Sequence, residues 1–170
     1  MSSRNRFFRM LAYTIELLIL YVIQETPGIL GSLTGIKPVL IISAAVTIAM
    51  YENQKVSLVF GIVAGLLMDI GYGWMIGFNT LILSMLCYII AWLATDYIQT
   101  NMLTAMLCTA VTLTIDLTAH YVFLYVLMNY GSNAHAYVHH YVPIIIYSII
   151  PMPVMYLVNG ALVKWCADNY

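Results

Sequence analysis

The sequence predicts an all-α integral membrane protein: a bundle of six transmembrane helices forming one polytopic domain over residues 1–170. Three observations carry this. Hydrophobic residues fill 63% of the 170 positions and charged residues only 8%, too few to coat a water-soluble domain of that size. The apolar residues come in six long runs separated by polar or glycine-containing connections. All charges except Glu16, Asp69 and Asp116 fall at or near the ends of those runs.

The first helix is predicted from Phe7 to Ile23. Arg4, Arg6 and Arg9 precede it in the manner of a signal peptide, but no small-residue cleavage site follows and Glu16 interrupts the run, so the helix is expected to be retained. A loop with Pro27, Gly28, Gly31 and Gly35 leads to the second helix, which starts at Pro38, a good first-turn residue, and ends near Tyr51. The polar turn Glu52 to Lys55 separates it from the third, Val56 to Ile70. Gly71 to Gly77 is a glycine turn, followed by a fourth helix from Phe78 to about Thr95. A long fifth helix runs from about Met102 to Met128, then a polar and aromatic loop from Asn129 to Tyr141. The sixth, about Val142 to Trp165, should kink at Pro151 and Pro153.

With the N-terminus inside, five of the six basic residues are cytoplasmic and only Lys37 is outside, which sets both termini in the cytoplasm. Trp74, Trp92, Tyr97, Tyr130, Tyr137, Tyr141 and Trp165 then fall near the two interfaces. The second and third helices look short. Val56 to Asp69 covers about 20 Å against a hydrocarbon core of about 30 Å. Both deficits fall on the outer side. An outward depression, with the glycine turn dipping into it, would accommodate them; so would local bilayer thinning, or helices that extend into the flanking polar residues.

Gly61, Gly65 and Asp69 stand at i, i+4 and i+8, one above another on a helix face. Small residues there let another backbone come close, and the carboxylate must face protein or a wet cavity. The face serves either to dock a partner or to pack the fold, with Asp69 capping the following loop or bonding Asn79. Thr112, Asp116 and His120 make a second such face. An Asp and a His one turn apart can share a proton or a hydrogen bond, or meet Glu16 inside the bundle. A proton relay would need one more member on another helix. His135 and His139 have helical spacing, but no Cys or acid beside them completes a zinc site. Cys87, Cys108 and Cys166 lie in or beside apolar segments without C-x-x-C spacing and read as small buried residues. No nucleophile elbow, H-E-x-x-H or phosphate-binding loop is present, so no enzyme chemistry and no cofactor is expected. The net charge of −1 says nothing about nucleic acid, but no basic run lies past the N-terminus, so no nucleic-acid partner is expected.

The G-x-x-x-G-x-x-x-D helix, the glycine turn with its aromatic, and Gly77 opening the next apolar helix resemble the core of the rod shape-determining protein MreD family. The matching positions are Gly61, Gly65, Leu66, Leu67, Asp69, Gly73, Gly77 and Leu81, and Lys37-Pro38 also fits. The resemblance implies a non-enzymatic component of the bacterial inner membrane and of the cell-elongation complex. It implies contact with the single-span protein MreC. Through it the chain would reach the RodA glycosyltransferase with its class B penicillin-binding partner and, indirectly, the MreB filament. On that basis Gly61, Gly65, Asp69, Gly73 and Gly77 are the expected docking or packing stripe. The alternative is the substrate-binding membrane component of an energy-coupling-factor vitamin transporter, which also has six short helices. The outer loops show no clear polar ligand cluster for that role beyond Asn79, Trp74 and the histidines.

Overall fold

The computed structural model describes residues 3–26, 38–72, 76–97, 99–123 and 143–168. Those residues are almost wholly helical and contain no strand. In chain order the helices are α1 (Ser3–Glu25), α2 (Leu40–Tyr51), α3 (Gln54–Tyr72), α4 (Phe78–Asp96) and α5 (Met102–Tyr121). The sixth span, α6, consists of a helical stretch 143–149 and the helix Met152–Asp168. Five of the six spans are long and apolar enough to cross a membrane: Arg6–Glu25, Gln54–Gly71, Phe78–Asp96, Met102–Tyr121 and Pro143–Trp165. The chain is therefore an all-α membrane protein. The break in α6 falls at Ile150 and Pro151, because proline has no N–H to continue the ladder. Pro153 sits in the first turn of the new helix, where no donor is missed.

The exception in length explains the architecture. α2 has 12 residues, about 18 Å of helix. Every residue from Leu40 to Met50 is buried, and α2 packs against each of the other five helices. It is the axis of the bundle and has no lipid-facing side. Ala44, Ala45 and Ala49, all at most 1% exposed, let its neighbours come close. Its N-terminus has no cap of its own. Instead Gln24 of α1 accepts hydrogen bonds from the Leu40 and Ile41 N–H groups at 3.0 and 3.4 Å. The Val39 N–H donates to Ser148 Oγ of α6 at 2.8 Å, and Ser43 Oγ returns a bond to the Ser148 carbonyl at 3.0 Å. Protein side chains thus satisfy, inside the bundle, the donors that water would otherwise meet.

The apparent deficit of α3 is made up by extension into the flanking residues, one of the expected resolutions. The helix begins at Gln54 and runs through Tyr72, so its 19 residues cover about 28 Å, enough to span. Helix formation extends into the flanking polar residues because nothing there breaks it. α2 begins two residues after Pro38, which is buried and not helical. The α-helical ladder of α5 is described through Tyr121 with a wider turn at 122–123, and the expected end at Met128 lies outside the described residues. Segments 27–37, 73–75 and 124–142 lie outside the described residues. With them go Lys37, Gly73, Trp74, His135 and His139, and with them the rim of any outward depression.

At the end where α1 starts, Arg9 and Glu52 form an ion pair, with Arg9 Nε 2.6 Å from Oε1 and Nη2 donating to Oε2 at 2.9 Å. The Tyr13 hydroxyl donates to Glu52 Oε1 at 3.2 Å. Burial pushes the Glu52 carboxyl up, and Arg9 and then Tyr13 pull it back. The pair ties α1 to the α2–α3 turn. Phe7, Phe8, Leu18, Ile19 and Val22 of α1 face outward, as a lipid-contacting helix requires.

Candidate functional site

Asp69 sits in the last turn and a half of α3, 1% exposed. Its carboxylate takes four hydrogen bonds. Oδ2 accepts from the Gly77 N–H at 2.8 Å, the Thr80 N–H at 3.2 Å and Thr80 Oγ1 at 2.6 Å. Oδ1 accepts from the Asn79 N–H at 3.0 Å. These are the unpaired donors of the first turn of α4, which has no side-chain cap of its own. Asp69 caps α4 from eight residues upstream and places a negative charge at the positive end of that helix. Gly77, the residue before α4, has φ +106°, a left-handed conformation that a side chain would strain.

The glycine stripe above Asp69 is filled by the same helix. A Cβ on Gly65 would lie 2.4 Å from Thr80 Cα and 2.7 Å from its N. A Cβ on Gly61 would lie 2.8 Å from Ser84 Cα. α3 and α4 therefore touch backbone to backbone along the stripe. That face is occupied within the chain, and the docking alternative at Gly61 and Gly65 gives way to internal packing. Gly73 lies outside the described residues.

The second face joins the first through a residue the sequence left secondary. Asn79 is 2% exposed; its N–H goes to Asp69 and its Oδ1 lies 2.6 Å from His120 Nε2 on α5. The His120 ring also sits edge-on to Phe78, centroids 5.1 Å apart. Asp69, Asn79 and His120 thus link α3, α4 and α5. Asp116 is 2% exposed, and its Oδ1 has no hydrogen-bond partner. The expected mutual satisfaction of Asp116 and His120 is corrected: His120 reaches Asn79, and Asp116 keeps an unanswered oxygen. Thr112 turns its hydroxyl to the Cys108 carbonyl of its own helix at 2.8 Å. Glu16 does not meet this cluster; it bonds Asn159 of α6. Among the described residues no group of three or more His, Cys, Asp or Glu side chains could hold a metal ion.

The asparagine bridge had one signal in the sequence, an amide at the start of an apolar run. Gln24 ends an apolar run and Ser148 and Asn159 lie inside one, where a lone amide or hydroxyl names no partner.

The family model of the rod shape-determining protein MreD matches residues 4–165, nearly the whole chain. The chain belongs to the MreD family. No curated protein and no solved structure matches it. Membership makes this a rod-shape-determining membrane protein. In this MreD-family chain, the Gly61–Gly65–Asp69 stripe is the seam of the α3–α4 hairpin.

Proposed function

We propose that the protein is a non-enzymatic inner-membrane component of the bacterial cell-elongation complex, with both termini cytoplasmic. In it the protein docks an MreC-like single-span protein and positions the RodA–class B penicillin-binding pair, coupled indirectly to MreB. The observation that carries this is the match to the MreD family over residues 4–165. Two features suit a positioning role. The buried polar contacts join helices to one another, and among the described residues the long outer faces of α1, α4 and α5 are apolar and exposed. Since α4 fills the glycine stripe, on this reading the partner helix lies on an outward apolar face instead.

The test is depletion with complementation, read beside copurification. Depleted cells should round up, the wild-type chain should restore rods, and an MreC-like protein should copurify with it. Rods that persist without the protein, or restoration of shape with no such partner recovered, would sink the reading. Orientation is checked separately by labelling a cysteine at Asn53 in a background lacking Cys87, Cys108 and Cys166. It should not react from outside intact cells.

A further inference from the structure

A second polar cluster lies between α1, α2 and α6, away from the Asp69 seam. Glu16 is midway along α1, Thr47 is on the axial α2 and Asn159 is on α6. The Asn159 amide nitrogen donates to Glu16 Oε1 at 3.2 Å and to Thr47 Oγ1 at 2.8 Å. The Thr47 hydroxyl is itself directed at the carbonyls of Ala44 and Ser43, at 2.7 and 3.1 Å. Both amide hydrogens and the hydroxyl hydrogen are therefore committed.

Two buried atoms are left over, Glu16 Oε2 and Asn159 Oδ1, neither with a hydrogen-bond partner. They belong to two residues already joined by one hydrogen bond. If Glu16 is a carboxylate, both atoms are acceptors and the cluster has no donor to offer either. A carboxylic acid and a primary amide, by contrast, pair through two antiparallel hydrogen bonds. The amide N–H meets one acid oxygen, and the acid O–H meets the amide oxygen. The first bond is present, and the leftover atoms are the pair that the second would join.

We propose that Glu16 and Asn159 form a proton-binding site inside the membrane span, with the proton on Glu16 Oε2 donated to Asn159 Oδ1. The proton satisfies both orphaned atoms and removes a charge that is costly within hydrocarbon. Among the described residues of the packed elements no cation takes its place. On α1 itself Arg9 pairs with Glu52, just past α2, and Tyr13 donates to the same carboxyl. On α2 Tyr51 stacks against Tyr156 of α6, whose hydroxyl goes to the Thr100 carbonyl. On α3 Lys55 is exposed and Asp69 is held by α4. Lys164 of α6 is exposed. The protonated pair latches α1 to α6 across Thr47; losing the proton sets two oxygens against each other there.

Infrared spectroscopy of the full chain in detergent tests this, because the carbonyl stretch of a protonated carboxylic acid is distinct from carboxylate bands. The wild type minus Glu16→Gln difference at neutral pH should show an acid carbonyl band that shifts in heavy water. Glu16→Gln should keep the wild-type melting temperature, since its amide N–H can replace the acid O–H. Glu16→Ala and Asn159→Leu should melt lower. A difference spectrum with only carboxylate bands would overturn the proposal. So would a wild-type melting temperature that rises with sodium or potassium at constant ionic strength, which would put a metal cation in the proton's place. Failure of Glu16→Gln to fold would overturn it too, because a neutral donor of the same shape would then not suffice.

Discussion

Asp69 and Asp116 are equally closed to solvent, 1% and 2% exposed, on adjoining parts of the bundle. One receives four hydrogen bonds, three of them from backbone N–H groups. The other leaves a carboxylate oxygen without a partner. Each stands in an i, i+4, i+8 pattern that sequence alone treats as equivalent. The difference is what lies opposite. Asp69 meets the start of α4, where the helix offers unpaired donors and a positive dipole end. Asp116 stands in the last third of α5, and no described helix terminus donates a hydrogen bond to its Oδ1. Burial of an acid therefore says little about its role until the nearest helix terminus is known.

The largest effect is expected at Asp69. Asp69→Leu strands three backbone donors and the Thr80 hydroxyl, at about 1–3 kcal/mol for each buried group left unpaired. Folded monomer in detergent should largely disappear. Asp69→Asn should fall in between, since one oxygen becomes an N–H₂ facing other donors. Wild-type melting in Asp69→Leu would erase the contrast between the two acids.

Gly65→Ala comes next. Its new methyl would meet the Thr80 backbone, which no side-chain rotation can relieve, so a loss of about 1–3 kcal/mol is expected. Gly61→Ala should cost less, because its closest contact is longer. Folded yield and recovery of an MreC-like partner should fall together in both. A variant with normal yield and a lost partner would return the stripe to a docking role.

A smaller change is expected from His120→Phe. The ring keeps its edge against Phe78, but Asn79 Oδ1 loses its hydrogen bond, for about 1 kcal/mol by thermal melting. Asp116→Leu should be the mildest. It replaces an incompletely satisfied buried acid with an apolar side chain, which is commonly neutral or stabilising. His120 is not stranded by it, because its ring nitrogen bonds Asn79. A melting loss in Asp116→Leu as large as in Asp69→Leu would mean that Asp116 holds a bound group.

Much of the bundle was legible. The apolar runs of α1, α4 and α6, together with Pro151, announced spans and a break to within a few residues, because a helix in lipid must be apolar for most of its length. The ends of α3 and α5 were less clear. Whether Gln54 and Tyr72 join a helix depends on backbone bonding rather than on hydropathy. The Gly61–Gly65–Asp69 face was legible as a close-packing face, since only a partner backbone makes use of missing side chains. Its partner was not, because helical periodicity says which residues share a face and nothing about what lies across from it.

The sequence by itself determined the class, the number of spans, the family and the residues whose chemistry does not suit lipid: Glu16, Asp69, Asp116 and His120. Hydropathy and spacing are properties of one segment at a time, so they suffice for that. The tertiary structure alone decided that the shortest helix is the axis of the bundle, that α4 closes the glycine stripe, and that Asp69 caps α4. It alone decided that His120 answers to Asn79 and Glu16 to Asn159. Each of those is a contact between different helices, some consecutive and some far apart in the chain. A polar group inside a membrane protein is settled by whichever donor or acceptor the packing brings to it.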